Sequence, residues 1–298
     1  MSTVPMSRVR SWSSVLRDVL GLMKLRIGVM IMVTALAGMM VTPTAKPNLA
    51  TGIALAVAVL VASASAGLFN QYYEADQDHR MARTRRRAFV THALPRSRWW
   101  LLLVLAMLVS AVALAWRAVN GLAAAYVLLG AVFYGLVYTV WLKRRTPLNI
   151  VIGGLAGSFA VLAGGAAVAP ATAPLPWLLA LVLFLWTPPH FWSLAIAHRD
   201  EYAEAGVPML PVVVGPERAA RAVLMGTVLL LIVSIVPAAF GLGAIYVAGA
   251  LVGGLVFVWR ATQLLRRPER GSAMRCFFAS LLQLSMLLVA ACLDRTLS

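Results

Sequence analysis

Ten acidic residues occur in 298, and six of them fall into two groups. Glu74, Asp76 and Asp78 form one; Asp200, Glu201 and Glu204 form the other. Asp18, Glu217, Glu269 and Asp294 are scattered. Asn70, Glu74 and Asp78 are spaced four apart, so a helix through them puts an amide and two carboxylates on one face and Asp76 on another. Like charges that close repel unless a cation bridges them, and hard oxygen donors suit Mg²⁺. Arg83 and Arg87 follow, again four apart, and guanidinium groups suit phosphate. The pattern reads as a magnesium–diphosphate site. Arg83 to Arg87 also read as topology-setting charge, which leaves the acids ahead of them unexplained. In the second group, Asp200 and Glu204 are four apart, ahead of Gly206 and Pro208, which end a helix. It is placed to ligate a second cation opposite the first. A solvated loop is the plain alternative for either group alone.

The elements that position these groups are membrane spans. The chain is 61% hydrophobic and 12% charged, with mean hydropathy +0.86. An ordinary soluble domain is about 25% charged, so a soluble enzyme and a disordered chain are both excluded. Nine apolar runs are visible: 27–43, 50–69, 99–116, 122–142, 150–168, 175–197, 222–240, 244–261 and 276–293. Their apolarity is continuous, not alternating, which excludes a barrel and leaves helices. The expected fold is an all-α polytopic membrane protein of about nine transmembrane helices around a central cavity. Both acid groups directly follow a span, the second and the sixth. Ionisable groups at such positions point to function.

The basic residues set the orientation. With the N-terminus inside, only Lys46, Arg117 and Arg295 of the 26 lysines and arginines fall outside, leaving 23 on the inner side. The positive-inside rule therefore puts the N-terminus and both acid groups in the cytoplasm and the C-terminus outside. The expected organisation is a retained cytoplasmic segment (1–26), one transmembrane domain (27–294) with acidic loops at 70–98 and 198–221, and an outer tail (295–298). The net charge of +16 suggests anionic lipid or an anionic substrate. Nucleic acid is not expected, because the basic residues sit in short loops between apolar runs. Cys276 and Cys292 make neither a disulfide framework nor a metal cluster.

Asn70-xxx-Glu74-xxx-Asp78 with Arg83-Thr84-xx-Arg87 resembles the first Asp-rich motif of the UbiA-type intramembrane prenyltransferases, and Asp200 to Glu204 sits where they have the second. Four ordered blocks resemble the protohaem IX farnesyltransferase (haem O synthase) branch. They are Asn70 to Asp78 with Met81-Ala82-Arg83-Thr84, Leu142 to Gly154, Pro189 to Ala195, and Asp200-Glu201-Tyr202 with Ala205 to Val213. The resemblance covers about Lys24 to Gly215. Ala88, Leu25 and the stretch Ser158 to Leu162 depart from it where the family carries proline.

The resemblance implies that the chain transfers the farnesyl group of farnesyl diphosphate to a vinyl group of haem B. Water adds, giving haem O and diphosphate. Asn70, Glu74, Asp78, Asp200 and Glu201 would be the catalytic set, with Asn70, Glu74, Asp78, Asp200 and Glu204 as Mg²⁺ ligands. Lys24, Arg26, Arg83, Arg87 and Lys143 would hold the diphosphate. Mg²⁺ is the implied cofactor, and haem B is a substrate, not a redox centre. The implied location is the bacterial inner membrane, with haem A synthase or a cytochrome oxidase assembly factor as possible partners. The rivals are a UbiA-type enzyme with an aromatic acceptor and an anion transporter. His190 lies inside a span beside Pro188 and Pro189, which remove backbone hydrogen bonds and should kink the helix. It reads either as a haem contact or as a histidine bonded to a freed carbonyl. Trp99, Trp100, Tyr138 and Trp141 read as interface anchors.

Overall fold

A computed structural model describes residues 11–42 and 48–297. Arg8, Arg10 and Lys46 of the charge count, the first ten residues of the segment ahead of the first span and Ser298 lie outside the described residues. Every regular element among those described is helical. An amphipathic helix, α1 (Trp12–Leu22), leads through a 48° bend into α2 (Leu25–Val41). Then come α3 (Leu49–Asp78), α4 (Trp99–Ala118) and α5 (Gly121–Val132), the last continuing directly as a π-helix over Phe133–Leu142. The short α6 (Asn149–Gly153) and α7 (Leu155–Ala166) share one span and meet at Gly154. After α8 (Pro174–Ala197) come two short helices, α9 (Arg199–Glu204) and α10 (Leu210–Val214). The bundle ends with α11 (Pro216–Val233), carried on by a 3₁₀ turn over Val236–Phe240, then α12 (Ala244–Arg266) and α13 (Arg270–Leu297).

Eight of these stretches are long and apolar enough to cross a membrane, and α1 with α2 as one bent unit makes a ninth. The nine apolar runs each coincide with one of them, so the protein is an all-α polytopic membrane protein. Without a hydrophobic drive between helices in lipid, small residues let the backbones approach. A side chain on Gly164 would overlap the Ala35 carbonyl at 1.9 Å, and one on Gly38 the Val161 carbonyl at 2.6 Å. These contacts lock α2 against α7. Across the bundle, α12 and α13 meet at Gly249 and Ala290 in the same way. Asp294, near the end of α13, accepts from the backbone N–H groups of Gly243, Ile245 and Tyr246 at 2.5, 3.1 and 3.3 Å, which caps the start of α12.

Two features of the fold bear directly on the site. First, α3 has 30 residues. At 1.5 Å per residue, Asn70 lies about 31 Å and Asp78 about 43 Å along the axis from Leu49. A hydrocarbon core is about 30 Å thick, so the acidic end of α3 rises out of it as unbroken helix. Second, α8 runs through Pro188 and Pro189 as one continuous element, with no break at the expected kink. The ring of Pro189 packs beside Gly226 of α11.

Candidate active site

The last three turns of α3 bury Asn70, Glu74 and Asp78 on one face. Asp76 points away, is exposed, and pairs with Arg96 at 2.5 Å. This is the division the four-residue spacing predicts. Three cations from three other segments close over the buried face. Lys143 Nζ bonds Glu74. Arg87 reaches Asp78 at 2.5 Å and Glu74 at 3.9 Å. Lys24 Nζ donates to Asn70 Oδ1 at 2.5 Å and to the Tyr134 hydroxyl at 3.1 Å. A buried carboxylate costs several kcal/mol unless it is paired and hydrogen-bonded, and here each one is. Burial also pulls the Lys143 ammonium below the ordinary lysine range, while the Glu74 carboxylate beside it pulls it back up.

Each cation is held by local structure. Lys24 sits in the left-handed region (φ 50°, ψ 41°) at the bend between α1 and α2. Gly67 lets that bend touch α3: a side chain there would meet the Met23 carbonyl at 3.0 Å. Gln71 Nε2 donates to the carbonyls of Gly21 and Leu22 at 2.9 and 3.0 Å, satisfying the end of α1. Arg87 returns to the site because the chain turns sharply after α3, where the Thr84 hydroxyl donates to the Asp78 carbonyl at 2.7 Å. Lys143 follows the π-helix, and Asn149 Nδ2 ties its loop down through the carbonyls of Lys143 and Thr146 at 3.3 and 2.7 Å.

The π-helix builds the opposite wall. Asn70 Nδ2 donates to the Thr139 hydroxyl at 3.0 Å, and that hydroxyl donates to the Tyr134 carbonyl at 2.8 Å. The rings of Tyr134 and Tyr138 stack at 5.7 Å, and Lys143 Nζ lies 6.0 Å above the Tyr138 ring. Tyr138 is thus a wall of the site and not an interface anchor; Gly153 leaves space for its ring. Below Lys24 and Tyr134 opens an apolar cleft. Ile27, Ile31, Val59, Ala62, Tyr126 and Ala160 are among the residues that line it. A charged head and an apolar slot are therefore contiguous.

The second acid group is built differently. Glu201 accepts from His198 Nδ1 at 2.8 Å, and that bond holds its carboxyl below the usual carboxylate range. Asp200 and Glu204 are exposed. Arg83 is exposed and reaches the Tyr202 hydroxyl at 3.4 Å, so it faces α9 and not the α3 acids. Arg26 is exposed on α2. Among the described residues, no three of His, Cys, Asp and Glu stand close enough to hold a metal by themselves. His190 lies elsewhere. Its ring is stacked between Trp186 and Phe277, at 4.1 and 4.5 Å, and Nδ1 bonds the Ser280 hydroxyl at 2.6 Å. It joins α8 to α13 through a side chain, not through a carbonyl freed by proline.

Comparison with known proteins agrees with this fold. The model of the UbiA prenyltransferase family matches residues 31–284. The chain belongs to that family. It is 53% identical over 275 residues to "Protoheme IX farnesyltransferase 2" of Paramagnetospirillum magneticum, covering 92% of this chain and 96% of that one. "Protoheme IX farnesyltransferase 1" of the same organism is 44% identical, with 94% and 98% covered. Among solved structures, a digeranylgeranylglyceryl phosphate synthase superposes with a TM-score of 0.80 at 16% identity, over 95% of this chain and 99% of that one. A UbiA homologue from Archaeoglobus fulgidus bound to DMAPP and Mg²⁺ gives 0.72 at 16% identity, over 91% and 99%. The fold is thus that of a membrane prenyltransferase, as the Asp-rich motifs imply.

Sequence reasoning does not find Tyr134, Thr139 or Gln71. Tyr134 and Thr139 are five apart, a spacing that an α-helical reading separates and a π-helix aligns. Gln71 looks like any polar residue at a span end. Its role appears only once α1 is seen to terminate against it.

Proposed function

We propose that this chain transfers the farnesyl group of farnesyl diphosphate to a vinyl group of haem B, with addition of water, giving haem O and diphosphate. The observation that carries the reading is the buried face of Asn70, Glu74 and Asp78, closed by Lys24, Arg87 and Lys143 at the mouth of an apolar cleft. It matches an amphiphile with a diphosphate head and an isoprenoid tail. The four sequence blocks shared with the protohaem IX farnesyltransferases, and relatives of that name, support haem as acceptor.

The donor set fits Mg²⁺. It consists of hard oxygens, and buried Glu201 Oε2 and Gln77 Oε1 have no hydrogen-bond partner. The protein alone supplies no closed centre, which suits an ion held by one or two carboxylates together with substrate phosphates. Asn70, Glu74 and Asp78 would hold it from one side and Glu201 from the other, with Asp200 and Glu204 at the rim. When bound, Mg²⁺ stabilises the negative charge of the departing diphosphate.

The remaining work falls to the protein. Lys24, Lys143 and Arg87, now engaged with the α3 acids, are placed to turn toward phosphate oxygens as the head group enters. They neutralise the pair of electrons that leaves with the diphosphate when the C–O bond breaks. Arg83 would approach from the α9 side. The apolar cleft holds the farnesyl chain and keeps bulk water from the allylic cation. The vinyl π electrons form the new C–C bond, water captures the cation left beside the porphyrin, and its proton leaves. The charge asymmetry supports placement in the bacterial inner membrane, with the N-terminus and site on the cytoplasmic side. Haem O would pass to haem A synthase or an oxidase assembly factor.

The test is expression in cells that make haem B but no haem O, followed by haem extraction and mass spectrometry. The expected product is haem B heavier by one farnesyl and one hydroxyl group, lost in Asp78→Asn. Inserted protein that makes no such species would leave the fold assignment intact and return the acceptor to aromatic candidates.

A further inference from the structure

The helical wheel of α1 carries a feature that the site does not use. At 100° per residue, Leu22, Val15, Val19, Trp12, Leu16 and Leu20 form one apolar arc of about 160°. Ser13, Arg17, Gly21, Ser14 and Asp18 occupy the rest. The protein covers only one flank of that arc. Val15 and Val19 pack with buried Leu22 against a cluster that includes Leu68 and Phe89. The other flank is bare: Trp12 is 89% exposed, Leu16 58% and Leu20 42%. The helix is not free to roll this flank inward, because Gln71 fixes its end through two carbonyls.

We propose that the flank formed by Trp12, Leu16 and Leu20 docks onto the lipid surface at the end of the bundle that carries the site. The polar face of α1 then lies in water. Three observations favour lipid over a protein partner. The apolar arc opens on two sides at once, toward the bundle and away from it, as expected for a helix lying where protein meets bilayer. Beyond the 48° bend the chain continues into α2, whose exposed Ile27 and Met30 belong to the lipid-facing belt, so the bare flank is continuous with that surface. The loops at this end are rich in arginine, including exposed Arg80, Arg85 and Arg86, which complements anionic head groups. The docked helix ends at Leu22, two residues before Lys24, so the membrane surface lies close to a cation of the site.

A nitroxide depth measurement tests this. Cys292 is replaced with Ser, and buried Cys276 is left in place. Leu16→Cys and Arg17→Cys are each labelled in the full chain, in vesicles of phosphatidylethanolamine and phosphatidylglycerol. Relaxation by oxygen, which concentrates in hydrocarbon, is compared with relaxation by a water-soluble nickel chelate. The expected oxygen-to-nickel ratio is several-fold higher for the label at 16 than for the label at 17. Equal access of nickel to both labels would overturn the proposal, because α1 then stands in water. Exclusion of nickel from both would also overturn it, because α1 is then inserted. A second readout needs no new cysteine. The wild-type chain should show slower hydrogen exchange over residues 12–22 in phosphatidylglycerol nanodiscs than in phosphatidylcholine nanodiscs; identical rates would count against the anionic component.

Discussion

The two acid groups of this protein are alike in sequence and opposite in construction. The first stands on a 30-residue helix, is buried, and has cations from three segments against its oxygens. The second stands on the six-residue α9, with two of its three acids exposed and only Glu201 held by a neighbour. A rigid helix can keep charges buried and matched before any ligand arrives. A short helix between loops can bring a carboxylate near without the same desolvation. On the proposed function this asymmetry divides the labour: the first group is preorganised, and the second contributes mainly through one residue.

The sharpest way to break this contrast is at the first group. Glu74→Gln and Asp78→Asn should each lower kcat by about 10²- to 10³-fold, the scale seen when one preorganised electrostatic contact to a developing charge is removed. Single-turnover rates at saturating Mg²⁺ would read it. A loss no larger than that of the Glu201 variant would remove the distinction. Next comes Lys143→Met, which leaves Glu74 without its nearest cation. Breaking a buried pair costs about 3–5 kcal/mol, so thermal unfolding should shift down together with a raised KM for farnesyl diphosphate.

Glu201→Gln should act more gently, mainly by raising the Mg²⁺ concentration for half activity. Its pH behaviour carries a sign. Because His198 depresses the Glu201 pKa, the ionised carboxylate is present above the ordinary value of about 4.3 and is lost only as pH falls through the lower folded value. In His198→Asn that protection goes, so the Mg²⁺ requirement should begin to climb at higher pH than in the wild type. A titration of activity against Mg²⁺ between pH 4 and 6 would show whether the two curves separate. The smallest effect is expected at Glu204→Gln, within about threefold of wild type, as for an exposed charge. A large loss there would mean that α9 changes position when substrate binds.

Much of this was legible in sequence. Continuous apolarity locates eight spans among the described residues, and a ninth with α1 and α2 taken as one, because backbone in lipid has few alternatives to helix. The spacing of Asn70, Glu74 and Asp78 gives the buried face, and Asp76 the exposed one, because α3 stays helical past the hydrocarbon. Other features were not legible, for physical reasons. The run at 150–168 reads as one helix but divides at Gly154 into α6 and α7. The π-helix adds no residue type that marks it, so Tyr138 looked like an anchor and Tyr134 like nothing in particular. Four-residue spacing also singles out Asp200 and Glu204, but periodicity carries no information on burial: both are exposed, and Glu201 is the acid held by a neighbour. His190, beside two prolines, drew attention as a haem contact; its ring proves to be stacked between Trp186 and Phe277, in the joint between α8 and α13.

The length of α3 has a kinetic consequence. With α3 upright its acids stand at head-group depth beside the cleft, so on the proposed function the amphiphilic substrate arrives sideways from the leaflet with its tail still in lipid. The relevant concentration is then the mole fraction of substrate in the membrane. Adding inert phospholipid at fixed total substrate should slow turnover in proportion to the dilution of the surface, although the amount per volume of suspension is unchanged. The leaflet then acts as the substrate reservoir, and enzyme and substrate meet by diffusion in two dimensions.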